Sequence, residues 1–324
     1  MTSGNPLTNR EAISFEPPVK VLPKDVGPVL LTGLSGFIGP HVGEYLVAHG
    51  LAVVAVVRRR TTECEAFAEL QGIDLVVGDL TDAKFLGALK TQPSSIVHLA
   101  ANSGRKGEDF DTLYRDNVLS TAQLLSFAKR SGCEKFIHIS SVSVHGRVLS
   151  SPLSAAHGSE APTSYGKTKL MAEEHLKRCG HGVGIVALRL PGVLGPKAPP
   201  HLLSSLVTKA VAGDEVTMHH ADSLFNNVVH VSDLSRFIVQ LLSERLNAAF
   251  DAFPLASSKP IRMREVVELV KLQVGSTSPV REVPSMESSF FIDDSRARSV
   301  FGYTSSSTSE AIARFIKYYD ASGL

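Results

Sequence analysis

The sequence predicts an α/β fold, a doubly wound parallel sheet with a smaller C-terminal lobe, on three observations. From Pro28 to about Leu190, short apolar runs alternate with amphipathic stretches, the order of strand and crossover helix. The apolar runs are continuous and β-branched or aliphatic, as in strands buried on both faces. After Leu190 the alternation weakens, and Pro191, Pro196, Pro199 and Pro200 interrupt the chain where it would leave the sheet to build a lobe.

In order, strands are expected at Val29–Thr32, Ala52–Val57, Asp74–Val77, Ile96–Ala100, Phe136–Ser140 and Gly184–Leu188. Helices are expected at Phe37–His49, Phe110–Arg130 and Ser164–Cys179. The second of these carries Leu113, Val118, Leu119, Leu124, Leu125 and Phe127 along one side. A further strand at Val228–Val231 precedes a helix from Ser232 to about Glu244, and helices follow near Met263–Val274 and Ser309–Tyr319. The expected organisation is a polar arm over residues 1–27, a nucleotide-binding domain over 28–190 with about 227–250, and a substrate-binding lobe over 191–226 with 251–324.

Composition narrows the function. The 324 residues are 43% hydrophobic and 20% charged, ordinary for a globular chain able to bury a core. Lys+Arg of 33 against Asp+Glu of 32 gives no general basic surface for a nucleic-acid backbone. Cys64, Cys133 and Cys179 are far apart without C-x-x-C spacing, which favours reduced thiols in a cytoplasmic setting over a zinc or redox site. His219-His220 lacks a third partner at ligand spacing, so no metal is expected. The first residues contain no apolar run that would serve as a signal peptide or membrane anchor.

Strand one opens into helix one through Thr32-Gly33-Leu34-Ser35-Gly36-Phe37-Ile38-Gly39, with a glycine at every third position. Gly33 permits a tight turn, Gly36 lets backbone approach a pyrophosphate, Gly39 lets helix pack on strand, and the helix N-terminus offers N–H groups to the anion. This is a Rossmann-type dinucleotide loop. A carboxylate at the end of strand two would bind a ribose 2′-hydroxyl. The chain instead reads Arg58-Arg59-Arg60, and Arg58 suits a 2′-phosphate, so NADP is expected, with NAD as the alternative. Asp79, in Gly78-Asp79-Leu80, is placed to accept from an adenine amino group or to cap the next helix.

Tyr165 and Lys169 stand four residues apart in Ser-Tyr-Gly-Lys-Thr-Lys, on one face of a helix. A fixed ammonium beside a phenol favours the phenolate, so the pair is a candidate acid/base with its activator.

Taken in order, these motifs resemble the extended short-chain dehydrogenase/reductases, the epimerase/dehydratase group, over Val29 to about Tyr319. The likeness also rests on His98-Leu99-Ala100-Ala101, Asn117, Ser140-Ser141-Val142-Ser143-Val144-His145-Gly146, Leu188-Arg189, Gly195-Pro196, Val229-His230-Val231-Ser232-Asp233 and Asp294-Ser295-Arg296-Ala297-Arg298 with Gly302-Tyr303. The resemblance implies that Tyr165 is the catalytic acid/base, that Lys169 holds the nicotinamide ribose and lowers the phenol, and that Ser141 binds the substrate oxygen. Asn117 joins the catalytic set, although a helical Asn also serves local structural bonds. Cofactor contacts are implied for Gly33, Ser35, Gly36, Phe37, Ile38, Gly39, Arg58, Asp79, Leu80, Leu99, Ala100, Ala101, Pro191 and Val193. Substrate contacts are implied for Ser143, His145, Gly192 and Asn226. For His145, a packed or solvated role is favoured over a catalytic one.

Nucleotide-sugar members of that family carry Tyr at His145, Asn at Gly192 and Arg-Asp at Asn226-Asn227, so part of the usual diphosphate contact is replaced; Lys197, His201 and Arg262 are alternative sources of charge. The function expected is an NADPH-dependent reductase of a keto group on a small hydroxylated substrate, foremost a nucleotide-activated 4-keto-6-deoxy sugar. The alternatives are an epimerase that retains NAD and a non-enzymatic NADP sensor. Dehydration is disfavoured because Val142-Ser143 stands where dehydratases place Asp-Glu. A homodimer through the helices holding Asn117 and Tyr165 is expected by the same resemblance.

Overall fold

A computed structural model describes residues 27–246, 250–286 and 288–319. The expected arm over 1–27 lies outside these residues except for Gly27. The first half of the chain alternates as its apolar runs require. It runs through β1 (Val29–Thr32), α1 (Ile38–Ala48), β2 (Val53–Val57), α2 (Thr62–Gln71), β3 (Asp74–Val77), α3 (Ala83–Ala88) and β4 (Ser95–His98). It continues through α4 (Phe110–Tyr114), α5 (Ser120–Arg130), β5 (Lys135–Ser141), α6 (Ser164–Cys179) and β6 (Gly184–Leu190).

The second half contains β7 (Gly192–Leu194), α7 (Leu202–Ala212), β8 (Val216–Met218), β9 (Leu224–Phe225), β10 (Val228–His230) and α8 (Val231–Ser243). It ends with β11 (Asp251–Pro254), β12 (Ile261–Arg262), α9 (Met263–Gln273), β13 (Val280–Glu282), α10 (Ser295–Phe301) and α11 (Thr308–Lys317).

Seven strands form one parallel sheet in the order β11-β6-β5-β4-β1-β2-β3. Side chains alternate across it: Val29 and Leu31 enter a core with Val42 and Leu46 of α1 and Phe237 of α8, while Leu30 enters the opposite core with Phe136, Leu124 of α5 and Leu176 of α6. Helices therefore cover both faces, the doubly wound Rossmann-type arrangement. The order reverses between β1 and β4, and the crevice beyond their carboxyl ends is where such sheets bind ligands. A smaller core, with Leu203 and Val207 of α7, Val266 and Val270 of α9 and Ile312 and Phe315 of α11, forms the lobe beside it.

Three differences from the sequence reading bear on the site. Phe110–Arg130 is not one α-helix: a π-helical turn at Arg115–Leu119 separates α4 from α5, where Ser120 and Thr121 donate hydroxyl bonds to the carbonyls of Asp116 and Asn117. Strand four ends at His98, two residues earlier than expected, so Leu99-Ala100 leave the ladder and turn over β1. Finally, Asp251–Pro254 joins the central sheet on β6, and Tyr303 packs against Phe237 in the sheet's core. The stretch expected to belong wholly to the lobe thus returns to the nucleotide domain.

Phe136 is fully buried beneath α5 and α6. Phe136→Ala should lower unfolding free energy by about 3–5 kcal/mol in a urea titration, the usual cost of a large aromatic cavity.

Candidate active site

The glycine loop is built by backbone contacts that exclude side chains. Gly33 has φ +82°, and a Cβ there would sit 2.7 Å from the Ala100 nitrogen. A Cβ on Gly39 would sit 2.2 Å from the Gly33 carbonyl oxygen, so helix one lies directly on the turn. Gly36 donates to the Gly33 carbonyl at 3.0 Å and is exposed with Ser35 at the mouth. Unlike α2, α3 and α6, α1 has no side chain capping its N-terminus, and its end is left to an anion. The cradle fits a dinucleotide pyrophosphate. Phe37 approaches Gly195 after β7, while Ile38 packs into the first core.

Leu99, Ala100 and Ala101 follow β4 beside this turn, held by the Leu99 amide donating to the Thr32 carbonyl and the Ala100 amide to Thr32 Oγ1. Arg58, at the end of β2, is 62% exposed and its Nη1 lies 3.2 Å from Asp116 Oδ2. Burial raises the Asp116 carboxyl, but hydrogen bonds from Asn102 and Arg115 and the charges of Arg58 and Arg115 outweigh it and hold the group below its ordinary value. A carboxylate thus comes to Arg58 from the π-helical turn, which the strand-end sequence does not reveal. Asp79 Oδ1 accepts from the Thr81 amide and hydroxyl, both at 2.8 Å, and Leu80 is buried. Pro191 and Val193 flank exposed Gly192 where β6 passes into β7.

The acid/base candidates meet at the carboxyl end of β5. Ser141 Oγ accepts from the Ser143 amide and donates to Ser143 Oγ, both at 3.1 Å, in a tight turn. The start of α6 lies on that turn. A Cβ on Gly166 would sit 2.1 Å from the Ser143 carbonyl oxygen, so a glycine next to Tyr165 is what lets the tyrosine reach Ser141. Burial raises the Tyr165 phenol, opposed by its hydrogen bond with Ser141 and then by the charge of Arg105. The sequence reading had Lys169 lowering this phenol; burial instead sets the direction and raises it, and Lys169 is not among the groups acting on it. Lys169 is 1% exposed, and burial brings its ammonium down to about 8 against the pull of Glu173.

Beneath Lys169 lie two neutral imidazoles. His98 bonds Thr32 Oγ1 and Thr121 Oγ1 and is pushed to about 3 by burial and then by Lys169. His138 is fully buried with neither nitrogen bonded and lies well below its ordinary value for the same reasons.

Asn117 is spent as a strut: its Oδ1 accepts from the Asn102 amide at 2.7 Å, and its Nδ2 donates to the Asn102 carbonyl and Thr168 Oγ1, both at 2.9 Å. It ties the loop after β4 to the helix carrying Tyr165. Asn226 is similarly engaged by the Ile292 backbone, donating to its carbonyl at 2.9 Å and accepting from its amide at 2.7 Å. His145 is 3% exposed, with Nδ1 bonded to the Gly158 carbonyl and Nε2 to Arg189. Of the expected substrate contacts, Ser143 is partly open and Gly192 exposed, while His145 and Asn226 hold the protein together.

The alternative charges divide likewise. His201 caps α7, Arg262 pairs with Asp222, and Lys197 is exposed. Sequence reasoning missed Arg105, whose charge reaches both Tyr165 and His201, and Glu173, although its four-residue spacing from Lys169 was available. Among the described residues no group of three or more His, Cys, Asp or Glu side chains could hold a metal.

The parallel sheet, its reversed strand order and the uncapped glycine turn define a dinucleotide-binding protein of the Rossmann class. The profile described as "NAD dependent epimerase/dehydratase family" matches residues 29–252, and the chain belongs to that family. It is an NAD(P)-dependent enzyme of the short-chain dehydrogenase/reductase type. One relative, a dTDP-4-dehydro-6-deoxy-D-allose reductase from Streptomyces sp, is 28% identical over 284 residues, covering 79% of this chain and 84% of that protein. Another, the UDP-glucose 4-epimerase of Halalkalibacterium halodurans, is 24% identical over 303 residues, covering 85% and 90%. Among solved structures, MoeE5 in complex with UDP-glucuronic acid and NAD superposes with a TM-score of 0.74 at 27% identity, covering 90% of this chain and 98% of that one.

Replacing Gly39 by Val should abolish dinucleotide binding in a fluorescence titration, because the new Cβ would stand 2.2 Å from the Gly33 carbonyl oxygen and force the turn apart.

Proposed function

We propose that this enzyme reduces a keto group on a nucleotide-activated sugar, foremost a 4-keto-6-deoxy sugar, using NADPH. The observation carrying this reading is the meeting of Ser141, at the end of β5, with Tyr165 and buried Lys169 at the start of α6, whose Gly166 lies against the Ser143 carbonyl. In the reductive direction Tyr165 is the proton donor. The bound dinucleotide supplies the hydride. The Ser141 hydroxyl donates to the carbonyl oxygen as negative charge develops there, and Tyr165 gives its proton to that oxygen, leaving the alcohol. Asn117 fixes the helix bearing Tyr165, and the cradle of Gly33, Gly36 and Gly39 holds the pyrophosphate. Arg58 to Arg60 favour a 2′-phosphate, and the kinship with a 4-keto-sugar reductase supports the substrate class.

A nucleotide-sugar epimerase retaining NAD is the second reading. It is favoured by the pairing of Arg58 with Asp116, with which a 2′-phosphate would compete, and by the epimerase relative. Purified protein that prefers NADPH over NADH and consumes it with a keto sugar establishes the reductase; co-purified NAD without net consumption establishes the epimerase. Tyr165→Phe should lower kcat by about 10²–10⁴-fold with cofactor affinity nearly intact; undiminished turnover would remove Tyr165 from the mechanism.

A homodimer through the outer face of α4 to α5 and α6 belongs to the same proposal. Phe110, Tyr114 and Leu119 are 39%, 41% and 36% exposed along that face. Light scattering should give twice the chain mass for the native protein and the monomer mass for Tyr114→Glu. No helix among the described residues is long and apolar enough to cross a membrane. Cys64, Cys133 and Cys179 are free thiols, in keeping with the reducing cytoplasmic setting proposed for the enzyme.

A further inference from the structure

Four residues beyond Lys169 on α6, Glu173 is 3% exposed and held by two side chains. Arg189, on β6, donates to it through Nε at 3.1 Å and 3.2 Å and through Nη2 at 2.7 Å, and Ser140 donates a short hydroxyl bond to Oε1. Arg189 Nη1 donates to His145 Nε2 at 3.2 Å and to the Ala155 carbonyl at 3.3 Å. A guanidinium only donates, so Nε2 of His145 accepts and its proton resides on Nδ1, which donates to the Gly158 carbonyl. The clamp therefore joins β5, β6, α6 and the loop after β5 around one carboxylate.

Besides burial, Glu173 on α6 is the group acting on Lys169; the lysine's charge in turn reaches His98 on β4 and His138 on β5, and Arg189 faces Glu173 from β6. Both imidazoles are neutral, so Glu173 supplies the negative charge among them. Both of its oxygens are spent on Arg189 and Ser140. Glu173 thus acts across space, and the ammonium's own donors are left for other work.

We propose that Glu173 is a positioning residue for the Tyr165–Lys169 pair: clamped by Arg189, Ser140 and, through Arg189, His145, it keeps the buried ammonium charged and directed into the cleft. This rests on the functional reading above, in which protonated Lys169 holds the nicotinamide ribose. It also gives His145 a role in place of substrate contact, as the outer brace of Arg189.

The test compares wild type, Glu173→Gln and Glu173→Gln/Arg189→Met. NADPH and NADH dissociation constants are measured from about pH 6 to about pH 10, beside urea unfolding. In the wild type, affinity should hold while Lys169 is protonated and fall as pH rises through about 8. Without Glu173 the ammonium loses its proton earlier, so the fall should begin about one pH unit lower, about a fivefold loss of affinity at the wild-type midpoint. The double variant also removes the guanidinium that Glu173→Gln would strand, and gives this reading if Glu173→Gln alone does not fold. Lower stability with a wild-type pH dependence of binding would make the clamp merely structural and overturn the proposal. Wild type that binds neither dinucleotide would overturn the functional reading as well.

Discussion

Keeping one ammonium charged inside the protein is the constraint around which this cleft is arranged. Lys169 is 1% exposed, and an unpaired charge at that depth costs several kcal/mol. The surrounding groups divide that cost in a definite way. His98 and His138 stay neutral, so they add no positive charge. Glu173 supplies the opposing charge without using its oxygens on the lysine, because Arg189 and Ser140 take them. The same arginine continues to His145, so the end of β5, the end of β6 and the middle of α6 are held in one register. The burial that brings Lys169 down to about 8 also raises the Tyr165 phenol, so it favours the neutral form of both groups, and only Glu173 opposes it at the lysine.

Close backbone contact does the rest of the assembly. The cleft floor forms where Gly33 meets the Ala100 amide, Gly39 meets the Gly33 carbonyl and Gly166 meets the Ser143 carbonyl. At each place a methyl group would force apart the elements that must converge on one ligand. Asn117 locks the result by spending its amide on the loop after β4 and on Thr168 of α6. The π-helical turn lies at this strut, and it brings Asp116 to Arg58.

Much of this was legible in the sequence, unevenly. β1 lies where its apolar run places it, since a fully buried parallel strand has to be apolar throughout, and β3, at the sheet edge, keeps its expected bounds. The ends of α6 were equally plain. The run Phe110–Arg130 was misread because a π-helical turn leaves the apolar spacing nearly helical and is set by hydrogen bonds from Ser120 and Thr121. Asp251–Pro254 was assigned to the lobe because four residues ending in proline carry little strand signal; pairing with β6 at the sheet edge supplies it. Asn226 and His145 were read as facing a substrate from their motif positions. Their side chains are committed to Ile292 and Arg189, contacts that join residues 66 and 44 positions apart.

The sequence by itself determined the parallel sheet, the glycine turn with its uncapped helix and the pairing of Tyr165 with Lys169. Each of these is a local pattern whose physical meaning is contained in a few neighbouring residues. Only the tertiary structure decided how burial shifts that pair, the company of Arg58 and the clamp on Glu173. Those depend on burial and on charges arriving from β4, β5, β6 and the π-helical turn, and no local spacing encodes which distant group will lie beside a given side chain once the sheet has closed over it.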